Sequence, residues 1–253
     1  MDKKGQVTLF IVLGMVIFSI LILVYSLENG AIDRIKQSGI LRAVIVSGDE
    51  ADIKQSVESC MKSVGSDGLL LVGLQGGKIF PDKYYLYEGI KVSYASYEGK
   101  NVLASRNEAE RDLEYYYVHF LPNCIASLNR HDINKGNLTV NVEIKNDSVN
   151  VALNYPMNII QNEQTTRIKY DYNAIFNVRL GKMLDAANRL AAKTSKRENN
   201  IDIDYILKIG DDFYVNMAKK DNIVLYVLVD RERKLNNANY TFMFAEKFKK
   251  VPE

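Results

Sequence analysis

Residues 7–27 read VTLFIVLGMVIFSILILVYSL, a run of 21 residues without one charged side chain. At 1.5 Å per residue a helix of that length covers roughly 30 Å, the thickness of a bilayer's hydrocarbon core. A helix buried in a globular core would carry polar residues on one side over so many turns. The run therefore predicts a transmembrane helix over residues 7–27, in contact with membrane lipid. Lys3 and Lys4 precede it, whereas Glu28 and Asp33 follow. The positive-inside rule then keeps residues 1–6 in the cytoplasm and sends the rest of the chain outside. A cleaved secretory signal would have a shorter apolar stretch ending in a small-x-small site. Leu23-Val24-Tyr25-Ser26-Leu27 offers no such site, so the expectation is a single-pass anchor.

The segment Lys3-Lys4-Gly5-Gln6-Val7-Thr8, running straight into the apolar stretch, resembles the class III signal sequence of archaeal type IV pilin-like proteins. The resemblance implies a peptidase cut between Gly5 and Gln6, with the apolar helix retained for packing into a filament. Thr8 matches the small hydroxyl position of that pattern, and Phe10 stands where the family usually carries glutamate. Val57-Glu58-Ser59-Cys60, Gly73-Leu74-Gln75-Gly76-Gly77 and Leu121-Pro122-Asn123-Cys124 are similar to segments of membrane-anchored envelope proteins of small-genome archaea. This second resemblance implies an envelope location and brings no activity with it.

About 225 residues remain beyond the anchor, enough to bury a core without help from metals. Residues 28–46 read as a stalk. Ser47-Gly48-Asp49-Glu50 then has the form of a capping box, and Ile53, Val57, Cys60 and Val64 follow as one helical stripe. Gly65 and Gly68 are expected to fray that helix, and Gly73 to Gly77 to turn the chain. Residues 84–87 and 90–97 read as paired strands. Ser105-Arg106-Asn107-Glu108 is a second capping box, opening a helix with the stripe Leu113, Tyr117, Phe120 and Cys124. Pro122 should kink or restart that helix. From residue 137 the pattern turns to period 2. Leu138, Val140, Val142 and Ile144 alternate with polar residues, as do Val149, Val151, Leu153 and Tyr155 after the turn at residues 145–148. Extended pieces at 156–160 and 165–176, a helix at 180–193, a helical turn at 205–209 and strands at 212–218, 223–229 and 240–248 complete the chain. The expected fold is α+β: the transmembrane helix, a helix-rich part at 47–130, and a mostly antiparallel sheet with one packed helix at 131–253.

Lys+Arg 33 against Asp+Glu 31 leaves a net charge of +2, which argues against a nucleic-acid partner. Cys60 and Cys124 are the only cysteines, each on an apolar stripe and both outside the membrane in this topology. In an oxidising compartment they are expected to form a disulfide. Two separate buried thiols are the alternative, and a cysteine nucleophile near His119 is a third reading. His119 and His131 share no metal-binding motif. Asp202, Asp204, Asp211 and Asp212 have the wrong spacing for an EF-hand loop and suit caps and turns. Gly73 to Gly77 lacks the Lys-Ser/Thr that completes a phosphate loop. No cofactor, metal or catalytic residue is therefore expected. Asn137, Asn146 and Asn239 open glycosylation sequons. Tyr84, Tyr85, Tyr87, Tyr94 and Tyr97 form a row that would either stack on a sugar or partner, or cover the helix pair. The functional expectation is an envelope protein with a structural, assembly or binding role, by self-assembly or with an envelope partner. An anchored hydrolase and a sensory or solute-binding ectodomain are the alternatives.

Overall fold

The computed structural model describes residues 39–128, 133–161, 164–168, 170–196 and 201–249. The expected anchor at 7–27, the Gly5-Gln6 junction and His131 lie outside the described residues. Among the described residues, no helix is long and apolar enough to cross a membrane. The chain divides into two compact units, Met1–Ile53 and Lys54–Glu253. Of the first, only a helical stretch is described, so the fold below is that of the second.

The architecture is α+β, with four helices among the described residues. Helix α1 (Gly39–Leu74) starts before the expected capping box at Ser47 and passes through Gly65, Gly68 and Gly73. Residues 39–46 of the expected stalk are helical, and the glycines are not breakers. Each costs the helix about 1 kcal/mol relative to alanine, and the packing around them explains why the helix continues. A Cβ at Gly65 would run into the hydroxyl of Tyr117 and the ring of Phe176, and one at Gly73 would sit 2.5 Å from the Thr241 carbonyl. Tyr117 Oη donates to Met61 O at 2.9 Å, and Tyr240 Oη donates to Leu69 O at 3.0 Å. Each acceptor lies four residues before one of these glycines. The missing side chains thus let two buried tyrosines reach the helix backbone. The helix ends in a turn where Gly76 and Gly77 take φ of +71° and +88°.

Helix α2 (Arg106–Leu128) begins as the capping box predicts. Glu108 accepts from Ser105 N and Ser105 Oγ at 2.8 Å, and Glu108 N donates back to Ser105 Oγ at 3.3 Å. Pro122 neither stops nor restarts it. The buried stripe is Leu113, Tyr117, Leu121 and Ile125, while Phe120 is 45% exposed, which corrects the expected position of Phe120. A uniform spacing of four keeps the stripe against its neighbours, and Phe120 instead rests on Tyr116.

Strands β1 (Tyr84–Tyr87), β2 (Ile90–Tyr97) and β3 (Lys100–Asn101) precede α2, and β4 (Ile133–Lys135) follows it. The hairpin of β5 (Thr139–Ile144) and β6 (Val149–Asn154) forms in the expected register, with Val142 opposite Val151. The extended stretch expected at 165–176 is two strands, β8 (Gln164–Ile168) and β9 (Asp171–Phe176), and β7 (Met157–Gln161) precedes them. β6 pairs with β9 and β7 with β8 in one continuous register, so that Asn154 faces Asp171 and Met157 faces Ile168. The two three-stranded sheets, β4-β7-β8 and β5-β6-β9, are thus stretches of one long ribbon. Its free edge at β5 is covered by α2. Glu110 accepts from Ile144 N at 2.7 Å and Glu114 from Val142 N at 3.0 Å. Two carboxylates one helical turn apart thereby satisfy edge N–H groups that would otherwise offer themselves to another chain.

Helix α3 (Leu180–Lys196) and the short α4 (Ile203–Gly210) lead into β10 (Tyr214–Lys220), β11 (Ile223–Leu235) and β12 (Ala238–Lys247). These three strands pair antiparallel, and β12 then pairs in parallel with β2, giving the order β1-β2-β12-β11-β10. The strand pair from the expected helix-rich part therefore belongs to the C-terminal sheet. The boundary expected near residues 129–136 separates no sheet, because a parallel partner so distant in sequence leaves no local signal. α3 packs on β2, β3 and β12.

Candidate functional site

Cys60 and Cys124 are bonded, with S–S 2.07 Å and Cα–Cα 5.7 Å, tying α1 to α2. That realises the expected disulfide and leaves no thiol for a nucleophile among the described residues. Near it, α2 presents an aromatic surface. His119 Nδ1 lies 2.8 Å from Tyr115 O, its ring rests on Tyr115 at 3.8 Å, and Phe80 meets Tyr115 edge-on at 5.7 Å. Of the three consecutive tyrosines, Tyr117 is buried and Tyr115 faces out. Burial pushes the Tyr117 hydroxyl up, so it stays a protonated donor to Met61 O.

The tyrosine row lies mostly on the sheet. Tyr94 joins a buried cluster with Val92, Leu225, Met243 and Ala245, and half-buried Tyr85, Tyr87 and Tyr97 pack against it. Leu74, at the end of α1, packs there too. Tyr85 and Tyr87 share a face, as alternation requires, with ring centroids 6.5 Å apart. Tyr97 is held by Lys247, whose Nζ donates to its hydroxyl at 3.0 Å and pairs with Glu98 at 3.0 Å, and by Lys83 over its ring. These contacts fix the rings as a lining of the sheet.

On the opposite face of β12, Tyr240, Phe242 and Phe244 continue into Glu246, which has no exposed surface. Tyr226 Oη and Thr194 Oγ1 both donate to Oε2, at 3.1 and 3.2 Å, and Oε1 has no partner among the described residues. Burial pushes the carboxyl up to about 7 against those two hydrogen bonds. Beside it, a cleft of about 60 Å³ is lined by Ser96, Gly99, Thr194, Ser195, Lys247 and Lys249. With no surface of its own, Glu246 governs how α3 seats on the sheet rather than meeting a substrate. Sequence reading passed over it, although a carboxylate continuing the face of Tyr240, Phe242 and Phe244 is a detectable signal. The folded state binds a proton that the unfolded chain releases near pH 4.5, so stability is expected to fall as pH rises through 7. The loss would reach about 3 kcal/mol. Denaturation midpoints at pH 5 and pH 8 check this, and Glu246→Gln should flatten the difference. Identical pH profiles for the two proteins would refute it.

Asp202, Asp204, Asp211 and Asp212 stand at the caps and turns of α4. Asp202 caps α4, accepting from Tyr205 N at 3.0 Å and pairing with Lys193 at 3.1 Å. Asp204 lies in the first turn of α4 and Asp211 is its C-cap residue. Asp212 contributes its carbonyl to Arg179, as described below for the β11 bend. No metal-holding cluster occurs among the described residues. Asn137, Asn146 and Asn239 are all exposed. Asn146 accepts from Arg106 through Oδ1, which leaves its Nδ2, the atom a glycan would take, outside that bond.

The Arg179 guanidinium closes the β11 bend. Nε and Nη2 donate to the two oxygens of Asp230 at 2.7 and 2.6 Å, Nη2 also to Asp212 O at 3.0 Å, and Nη1 lies 3.1 Å from Glu232. Asp230 in turn accepts from Glu232 N and Arg233 N at 3.0 Å, within the stretch where β11 loses register with β12. Burial raises the Asp230 carboxyl, but the Arg179 and backbone hydrogen bonds outweigh it and hold the group below its ordinary value.

The described residues thus offer aromatic surfaces and satisfied ion pairs rather than convergent reactive groups. Comparison with protein-family models, curated proteins and solved structures found no match.

Proposed function

We propose that this chain is a membrane-anchored extracytoplasmic protein with a structural, assembly or binding role in the cell envelope, a pilin-like subunit being the sharpest form of that role. The observation that carries the reading is the uncharged run at residues 7–27 behind Lys3 and Lys4, followed by a folded unit. The Cys60–Cys124 bridge supports the outward topology, because disulfides persist in oxidising compartments. The exposed Phe80, Tyr115 and His119 rings support a binding role, since aromatic side chains are enriched where proteins meet partners.

The test is the mature N-terminus of native protein extracted from membranes, read by intact mass and terminal sequencing. A start at Gln6 is the expected result for a pilin-like subunit, with Phe10 then a tolerated departure from the family. An intact Met1-Asp2-Lys3 start would eliminate the pilin-like form and leave a plain signal anchor. Recovery of the protein in the soluble fraction would overturn the anchored reading altogether.

A further inference from the structure

The two sheet systems treat their edges differently. β5 is covered by Glu110 and Glu114 of α2, whereas β10 ends the large sheet with β11 as its one strand partner among the described residues. β10 is seven residues long, without proline or bulge, and every residue but Val215 is exposed. Beside it runs an open groove of about 460 Å³ lined by Leu207 of α4, Tyr214 and Val215 and also by the charged Asp212, Arg231 and Glu232. Apolar side chains on and beside β10 are exposed. Leu207 is 67% exposed, Ile203 52%, and Met217 and Tyr214 add further apolar area.

Charge along the strand decides what fits. Asp211 and Asp212 lead into β10, and Lys219 and Lys220 close it. A second copy running antiparallel sets the basic end of each strand against the acidic approach of the other. With Met217 opposite Met217, Lys219 faces Val215 and Lys220 faces Tyr214, whose ring carries Arg231, with Asp212 diagonally across from Lys220. Terminal lysines usually guard an edge strand against pairing, but here Lys220 finds the carboxylate of Asp212 on the diagonal and Lys219 lies over the apolar Val215. By alternation Val215, Met217 and Lys219 share the sheet face of Leu228, Tyr226 and Val224. A two-fold axis through Met217, perpendicular to the sheet, keeps that face common to both copies and brings the two α4 helices toward each other. Their exposed Ile203 and Leu207 would then become buried. β9 is a shorter edge, and its sequence DYNAIF carries an acid at one end with no base at the other.

We propose that β10 is a self-pairing edge: two copies of this chain join through antiparallel β10 strands into one continuous sheet, closed by α4 against α4. The inference concerns the folded unit and does not depend on the anchor.

The experiment uses the full chain in detergent, with light scattering for mass and single-cysteine variants for register. Met217→Cys, treated with a short bis-maleimide, is expected to give a covalent dimer, and Lys100→Cys on exposed β3 is expected to give none. The double variant Lys219→Glu/Lys220→Glu sets four carboxylates together at each end of the pair. It should lower the crosslinking of Met217→Cys by about tenfold while leaving the monomer's melting temperature in place. A monomeric chain would overturn the proposal. A dimer that crosslinks no better at 217 than at 100 would overturn it too, since it would then associate elsewhere, as through residues 7–27. So would a charge-reversed variant that stays folded and still crosslinks at 217.

Discussion

Arg179→Met is expected to lower the free energy of unfolding by about 3–5 kcal/mol, the usual consequence of removing one partner from a buried ion pair. Asp230 is wholly buried and the Arg179 side chain only 6% exposed. Methionine fills comparable space but leaves a carboxylate without its counter-ion, and the backbone donors of Glu232 and Arg233 cannot supply a net charge. The arginine also stacks over Phe213 and ties the residues before β10 to the β11 bend. A companion variant separates charge from packing. Arg179→Met/Asp230→Leu should regain most of the loss, because a well-packed apolar pair is often as stable as the buried ions it replaces. Urea titrations of the three proteins measure both effects. If the double variant is no more stable than the single one, the backbone donors freed at residues 232 and 233 matter more than the charge.

Opening the disulfide ranks beside it. Cys60 and Cys124 are 64 residues apart. In the chain-entropy view, cross-linking a loop of that length stabilises the fold by about 4 kcal/mol, chiefly by restricting the unfolded chain. Cys60→Ala/Cys124→Ala is therefore expected to lower the denaturant midpoint with little change in the near-ultraviolet spectrum of the folded protein. Reduction of the wild-type protein should give the same shift. A loss below about 1 kcal/mol would mean that the unfolded chain already holds α1 and α2 together.

What could be read in advance follows the range of the interaction. The Ser105–Glu108 box, the β5–β6 hairpin, the helix at 180–193 and the three closing strands are local patterns, and each is present, although β11 runs six residues beyond its expected end. The Ser47–Glu50 box has the same composition but lies inside α1, because a cap motif marks a start only where the preceding residues are not helical themselves. Gly65 and Gly73 read as breakers because their neighbours, Tyr117, Phe176 and Tyr240, come from distant parts of the chain. The division of 165–176 into β8 and β9 matches the break between β6 and β7 at Tyr155 and Pro156, which alternation alone does not reveal. For the site, the bridge was legible from the compartment argument. The partners of Arg179 and Glu246 were not, since a single charged residue in a connection or a strand says nothing about what faces it.

The parallel union of β2 with β12 has a consequence for how the chain acquires its shape. Lys247 reaches Tyr97 across 150 residues, and β12 is an interior strand with neighbours on both sides. Such a pairing closes a very long loop, so it forms late, after the local ribbon and the two cysteine-bearing helices have had time to organise. A nascent chain holds β1 and β2 as an unfinished margin until β12 (Ala238–Lys247) arrives. Stopping synthesis near residue 237 would therefore split the sheet down its middle, leaving two apolar margins in search of a strand.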